Sequence, residues 1–262
     1  MKKILFAGAS TTSGYGLDLE KNDPRLWCNQ LSRLLGYTTD GTTNIAEVGL
    51  DNHEIMINTS NELLSRSYDV AVVCWQTLHR TNLYHGFELY DTRNCITAID
   101  EDRSYTMSNG TIHPSAYKKF KKTVMQYYNP AYNIINLVKY AKILSEIAKL
   151  TNTSLYLVNF SFPWKTNKIF NYVPFDVADS FTKNEIAQLQ YRSELEASEI
   201  YTYFHQLINK AGGIVYNDWV NLYEPLKPLV VDISKHNHPG YQSQDNITKF
   251  VYNAIQTKQR PT

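Results

Sequence analysis

The stretch Ile4-Leu5-Phe6-Ala7-Gly8-Ala9-Ser10-Thr11-Thr12-Ser13-Gly14-Tyr15-Gly16 joins a short apolar run directly to a turn rich in small and hydroxyl-bearing residues. Four apolar residues without a polar interruption are typical of a strand that is buried on both faces of a sheet. The segment 8–16 then predicts a loop that leads into a helix. Because open α/β sheets bind their ligands at the carboxyl ends of the strands, a serine in this turn is well placed for chemistry.

The spacing within this turn excludes three known functional turns. A phosphate loop requires G-x-x-x-x-G-K-[ST], but Tyr15 follows Gly14 and no lysine comes next. A dinucleotide-binding turn requires G-x-G-x-x-G, which is absent. The nucleophile elbow of the α/β-hydrolases requires G-x-S-x-G, and Thr12 stands where its second glycine belongs. The stretch is equally compatible with an ordinary strand-to-helix turn, in which the hydroxyls cap backbone amides and have no catalytic role.

Helical and strand-like patterns alternate after the opening strand. Asp23-Pro24-Arg25 predicts the start of a helix that ends near Gly36. Residues 42–49 indicate a second strand, residues 50–64 a helix, and residues 68–75 a third strand that is apolar apart from Asp69. This order of elements is typical of a parallel, doubly wound α/β sheet.

The second half of the chain continues the alternation. Residues 131–150 predict an amphipathic helix, 154–160 a buried strand and 184–210 another helix. A short apolar run at 214–216 predicts a fifth strand, and the last helix is expected over about 244–255.

Length and composition bound the class of protein. The 262 residues can bury one large core, and no repeat or composition break marks a boundary, so we predict a single domain over 1–262. Irregular insertions are expected at about 76–130 and 161–183. The 26 basic and 25 acidic residues leave a formal charge of +1, which provides no field to attract nucleic acid or an anionic membrane.

The N-terminus and the cysteines exclude further classes. Only four apolar residues follow the N-terminal lysines before Gly8, too few for a signal peptide, and no apolar run is long enough for a transmembrane helix. Cys28, Cys74 and Cys95 show neither metal-ligand nor disulfide spacing. We therefore expect a reducing compartment, no metal or other cofactor, and no membrane or nucleic-acid partner.

A second polar segment, Asp232-Ile233-Ser234-Lys235-His236-Asn237-His238-Pro239-Gly240-Tyr241, precedes the last predicted helix. Its Pro-Gly turn favours a rigid, exposed His238. A serine nucleophile requires an imidazole base within hydrogen-bond reach and a third group that fixes the tautomer of the imidazole. Ser10 and His238 can meet if both segments lie at the carboxyl edge of the sheet. The alternative is a loop histidine that only satisfies a turn.

Four blocks of the chain, taken together, resemble those of the SGNH or GDSL-type hydrolases. The first block of that family, G-D-S-x-T-x-G, is similar to residues 8–14, which implies Ser10 as the nucleophile. The second block centres on a glycine after a strand and is similar to residues 44–52. This similarity implies that the backbone amide of Gly49 is a donor in the oxyanion hole.

The third and fifth blocks of the family complete the resemblance. The third, G-x-N-D, corresponds by position to residues 74–77 and implies Gln76 as an oxyanion donor, since glutamine carries the same amide as asparagine on a longer stem. The fifth, D-x-x-H-P, is similar to residues 235–239 and implies His238 as the base. The implied fold is a flavodoxin-like three-layer α/β/α arrangement with a central parallel sheet of about five strands.

The first and fifth blocks also depart from the family pattern. Ala9 replaces the aspartate of the first block, and Lys235 occupies the acid position three residues before His238. Asp232, six residues before His238, is the acid candidate if the loop folds back. The alternative is a Ser-His dyad in which a backbone carbonyl orients the imidazole.

Trp75-Gln76-Thr77-x-x-Arg80 is similar to a block found in phage-encoded SGNH proteins. The position of Trp75 and Arg80 just after the third strand predicts that they bind substrate, and the alternative for Arg80 is an ion pair with a nearby acidic side chain. We expect a cytoplasmic or virion-associated location. The resemblance implies a phage or viral origin. It also implies hydrolysis of a small acyl ester, such as an O-acetyl group on a carbohydrate. The alternatives are a catalytically silent glycan- or protein-binding protein and an O-acyltransferase. The oligomeric state is not predicted.

Overall fold

A computed structural model of the chain describes residues 2–76, 84–85, 88–89, 105–107, 110–112, 130–159, 219–221, 229–234 and 238–259. Its strands are β1 (Ile4–Ala7), β2 (Thr42–Asn44), β3 (Val70–Trp75), β4 (Tyr84–His85), β5 (Glu88–Leu89), β6 (Tyr105–Met107), β7 (Gly110–Ile112), β8 (Ser154–Asn159) and β9 (Trp219–Asn221). Its helices are α1 (Ser10–Ser13), α2 (Trp27–Leu34), α3 (Asn52–Ser65), α4 (Pro130–Leu150) and α5 (Tyr241–Gln259).

Five strands form one sheet in the spatial order β2-β1-β3-β8-β9, and every neighbouring pair is parallel. This is the strand order of flavodoxin-like sheets, in which the chain reverses direction across the sheet between β1 and β3. Open sheets with this strand order bind their ligands at this point, outside the carboxyl ends of the strands. Strands β4 to β7 form two separate antiparallel hairpins.

Apolar side chains cover both faces of the sheet, as the uninterrupted apolar runs predict. Ile4 and Phe6 of β1 belong to one buried cluster, which includes residues of α2 and α5. Leu5 and Ala7 belong to the cluster on the opposite face, which includes residues of α3 and α4. Side chains alternate along a strand, so this division shows helices on both faces. The predicted three-layer α/β/α class is therefore confirmed.

Several predicted bounds differ from those observed. Strand β2 is shorter than the predicted 42–49, although Ile45 and Glu47 still donate their N–H groups to the carbonyls of Phe6 and Gly8. The last helix begins at residue 241 rather than near 244. The predicted helix at 184–210, the strand at 214–216 and the insertion at 161–183 lie outside the described residues. The insertion at 76–130 is described mainly in its two hairpins.

Among the described residues, no helix combines the length and the apolar character that crossing a bilayer requires.

Candidate active site

Ser10 is the first residue of α1 and directly follows the edge of the sheet at which β1 ends; it is only 5% exposed. The backbone carbonyl of Ser10 accepts hydrogen bonds from the N–H of Tyr15 (3.0 Å) and the hydroxyl of Ser13 (3.1 Å), which closes the turn. Gly14 ends the turn in the left-handed conformation (φ 79°), and a Cβ there would overlap Leu26. The chain thus holds the serine on a tight, closed turn that requires glycine at position 14.

The start of the turn is also closely packed. A Cβ on Gly8 would lie 2.7 Å from Oγ1 of Thr12 and 3.0 Å from Cβ of Cys74. The side-chain amide of Asn44 donates to the carbonyl of Thr12 (3.1 Å), while its Oδ1 accepts from the N–H of Ala46 (3.0 Å). Asn44 therefore ties the serine turn to the end of β2.

Two cysteine thiols lie near this turn, but neither is a nucleophile at neutral pH. Cys28 and Cys74 are both fully buried. Burial raises the pKa of Cys28 to about 12 and also raises the pKa of Cys74. Because the thiolate is the reactive form of cysteine, both groups are unreactive at neutral pH.

The structure brings together the serine and the histidine that the sequence analysis paired. Nε2 of His238 lies 2.8 Å from Oγ of Ser10, although the two residues are 228 positions apart in the chain. The loop around His238 is closed by the N–H of Ser234, which donates to the carbonyl of His238 (2.7 Å), and by an isolated bridge between Ile233 and Pro239. The distance is that of a hydrogen bond between a hydroxyl and an imidazole.

Gln244 fixes the residue that follows His238. Its side chain is 1% exposed and bridges two distant segments. Oε1 accepts the N–H of Trp27 (3.0 Å), and Nε2 donates to the carbonyl of Pro239 (3.2 Å). Sequence analysis missed Gln244, because its role depends on a contact between residues far apart in the chain, which no local pattern signals.

Asp232 has a different role from the one predicted. Its Oδ2 accepts the N–H of Gln242 (3.0 Å), and its Oδ1 accepts both the N–H (2.7 Å) and the hydroxyl of Ser243. The carboxylate thus caps the N-terminus of α5, where the helix dipole favours a negative charge. The loop does fold back, but both carboxylate oxygens bind the helix, so the prediction that Asp232 orients His238 is wrong.

The cap predicts how the stability of the protein depends on pH. Burial acts to raise the pKa of Asp232, but hydrogen bonds from Ser243 and Gln242 outweigh it and hold the pKa below its ordinary 3.8. A lowered folded-state pKa stabilises the fold above the unfolded-state pKa, and this stabilisation is lost as the pH falls through the folded-state value. We expect Asp232→Ala to lower the free energy of unfolding by about 1–2 kcal/mol at neutral pH.

Urea denaturation of wild type and variant, repeated at decreasing pH, measures this effect. The deficit of Asp232→Ala should shrink as the pH falls below 3.8, because the wild type then loses its carboxylate. Asp245→Ala removes an exposed acid from the same helix and serves as the control. A deficit that does not change with pH would contradict a charged cap.

Gly49 lies at the same edge of the sheet as Ser10. It is buried, has a φ of 89°, and immediately precedes the segment in which Asp51 caps α3. The N–H of Glu47, two residues earlier, donates to the carbonyl of Gly8 (3.3 Å), so this loop runs alongside the serine turn. A positive φ favours glycine and turns the backbone sharply at this point.

Gln76 directly follows β3, at the carboxyl edge of the sheet. Ala7, the last residue of β1, pairs with Val73 of β3, so the strand that precedes Gln76 lies beside the strand that precedes the serine turn. The side chain of Asn52 holds the backbone of Gln76: its Nδ2 donates to the carbonyl (3.2 Å), and its Oδ1 accepts the N–H (2.8 Å). Sequence analysis did not single out Asn52, since it lies within the second block without matching a named position.

The side-chain amide nitrogen of Gln76 is buried. Within the described part of the chain, its Nε2 has no hydrogen-bond acceptor, and the residue is 5% exposed. An unsatisfied buried donor costs about 1–3 kcal/mol, so native proteins keep few of them, and each calls for an explanation. Such a donor is free to bind an acceptor on a ligand.

Of the remaining residues singled out from the sequence, the structure describes Trp75 but not Arg80 or Lys235. Trp75 is fully buried in the apolar cluster that also contains Leu5 and Leu137, so the prediction that it contacts substrate is wrong. Trp75 ends β3 with its side chain on the α3–α4 face, which the period of the strand dictates. Arg80 and Lys235 lie outside the described residues, and the role of Arg80 stays a prediction.

Comparisons with known proteins gave matches among solved structures only. The chain matches no protein-family model, and no curated protein is similar to it in sequence. The solved structure of TesA is similar over 98% of this chain and 99% of its own, with 12% identity and a TM-score of 0.50. The psychrotrophic esterase EstA from Pseudoalteromonas sp. covers 98% of both chains at 11% identity, with a TM-score of 0.49.

A GDSL-like lipase from Bacteroides thetaiotaomicron is 15% identical over 98% of this chain and 88% of its own, with a TM-score of 0.44. Similarity at this level of identity concerns the fold and not the activity. The chain has the three-layer α/β/α fold of the SGNH-type hydrolases, as the resemblance of its sequence blocks implied.

Proposed function

We propose that the protein is an SGNH-type serine esterase that hydrolyses a small acyl ester, such as an O-acetyl group on a carbohydrate. The observation that carries the proposal is the 2.8 Å contact between Nε2 of His238 and Oγ of Ser10 at the carboxyl edge of a parallel sheet. A serine hydroxyl is a weak nucleophile unless a base removes its proton, and a neutral imidazole in contact with the oxygen supplies that base.

Acylation proceeds in two steps at these residues. Nε2 of His238 takes the proton of Ser10 as Oγ forms a bond to the ester carbonyl carbon, which gives a tetrahedral oxyanion. His238 then donates that proton to the alcohol oxygen as the bond between carbon and this oxygen breaks. Water repeats both steps on the acyl-serine, with His238 as base and then acid, and releases the carboxylic acid and the free serine.

Three donors support the oxyanion in this proposal. The first N–H groups of a helix have no partner within the helix, and Ser10 is the first residue of α1. The N–H of Gly49 lies in the adjacent loop, and the buried Nε2 of Gln76 has no acceptor of its own among the described residues. Donors held in place before the reaction stabilise the developing charge without reorganising.

Replacing Gln76 tests the third donor. We expect Gln76→Met, which keeps the length of the side chain but removes its amide, to lower kcat about 100- to 1,000-fold with a smaller change in KM. Steady-state hydrolysis of an aryl acetate measures both constants. Gln30→Met on α2 is the matched control. A loss in kcat no larger than that of the control would exclude Gln76 from the oxyanion hole.

The function itself is tested by the reaction of Ser10 with a fluorophosphonate, which requires an activated hydroxyl, together with hydrolysis of a short-chain aryl ester. Labelling of Ser10 and release of the acid are the expected results. Absence of both would contradict the proposal and favour the catalytically silent binding protein. Formation of an acylated sugar when a sugar acceptor is added would identify acyl transfer instead of hydrolysis.

A further inference from the structure

Tyr15 contacts the imidazole of His238 and is also open to solvent. The two ring centroids lie 5.4 Å apart, and the ring planes meet at 83°, an edge-to-face arrangement. Tyr15 is 39% exposed, whereas Ser10 is 5% exposed. The N–H of Tyr15 donates to the carbonyl of Ser10, so the same turn carries both the nucleophile and this aromatic ring.

The chemistry of ester cleavage defines which part of a substrate meets this ring. The carbonyl oxygen must face the oxyanion donors of Gly49 and Gln76. The alcohol oxygen must face His238, because the imidazole protonates this oxygen as it leaves. The alcohol portion of the ester is therefore expected on the His238 side of the carbonyl, and the ring centroid of Tyr15 lies 5.4 Å from that of this imidazole.

We propose that Tyr15 forms the leaving-group subsite and binds the face of a cyclic alcohol, such as a sugar or a phenol ring. This inference rests on the proposed esterase function and specifies which side of the substrate the site selects. A tyrosine ring offers a large, rigid apolar surface at a low cost in side-chain entropy. A short acyclic alcohol offers little surface for this contact.

The segment that carries Tyr15 is held in place from two sides. The N–H of Leu17 donates to the carbonyl of Gly14 (3.2 Å). The hydroxyl of Tyr241, the first residue of α5, donates to the carbonyl of Leu17 (2.7 Å). A ring presented by an ordered segment binds with a smaller ordering cost than one on a free loop.

The test uses three acetate esters that share the acyl group and differ in the alcohol: phenyl acetate, an acetylated methyl glycoside and ethyl acetate. We expect Tyr15→Ala to lower kcat/KM for the two cyclic alcohols by about 3- to 10-fold and to change that for ethyl acetate less than about 2-fold. Tyr15→Phe keeps the ring and should stay near wild type. An equal loss for all three esters, or an equal loss in Tyr15→Phe, overturns the subsite.

The rate of deacylation separates a subsite from a residue that orients His238. Once the alcohol has left, acetyl-Ser10 carries no leaving group, so Tyr15→Ala should hydrolyse this intermediate at the wild-type rate. Slowing of acylation and deacylation by the same factor would overturn the inference. If wild-type Ser10 is not labelled by a fluorophosphonate, the proposed function fails and the inference with it. Labelling without a difference between the esters overturns the inference alone.

Discussion

Ser10→Ala is expected to abolish ester hydrolysis, lowering kcat about 10,000-fold or more. The hydroxyl is the only group in the proposed mechanism that forms a covalent bond to the acyl carbon, and a nearby water cannot reproduce its position. Hydrolysis of an aryl acetate measures the loss, and mass spectrometry after fluorophosphonate treatment should show that the label is absent. Ser65→Ala, at the exposed end of α3, removes a serine hydroxyl far from the site and is the control.

The structure makes this substitution a clean test. The hydrogen bonds that close the serine turn use the backbone carbonyl of Ser10, which alanine retains. Oγ of Ser10 is hydrogen-bonded to Nε2 of His238. We therefore expect the thermal unfolding midpoint of the variant to stay near that of wild type. Turnover that survives in a folded Ser10→Ala protein would remove Ser10 from the mechanism.

His238→Ala is expected to lower kcat by about 100- to 10,000-fold, because general acid–base catalysis contributes on this scale. Among the described residues, the carbonyls of His238 and Pro239 accept hydrogen bonds that hold this loop, and alanine retains the carbonyl at position 238, so we expect the variant to fold. Added imidazole should restore part of the activity by occupying the space that the side chain left. His53→Ala removes the exposed histidine that stacks on Tyr140 and serves as the control.

A double variant tests whether the two residues act as one unit. Residues that share one step give losses that do not add, so Ser10→Ala combined with His238→Ala should be no slower than Ser10→Ala alone. Independent, multiplying losses would contradict the proposed proton transfer between Nε2 of His238 and Oγ of Ser10.

Much of the fold was predictable because its signals are local. The apolar run 4–7 and the apolar run within 68–75 predict strands covered on both faces, and β1 and β3 are such strands. The last helix begins three residues earlier than expected, because its cap comes from Asp232, nine positions before its first residue. Sequence patterns detect a cap next to a helix but not one supplied from across a loop.

The candidate site also has one part that the sequence predicts and another that only the tertiary structure shows. The sequence by itself determined the fold class and the two residues, Ser10 and His238, that could meet at the carboxyl edge of the sheet. The tertiary structure decided that they do meet, that Asp232 caps α5 instead of orienting the imidazole, and that Trp75 lies in the core. Residue types and periods constrain which chemistry and which elements are possible. Which atoms face one another depends on contacts between segments that are distant in the chain, such as the bridge that Gln244 makes from Trp27 to Pro239.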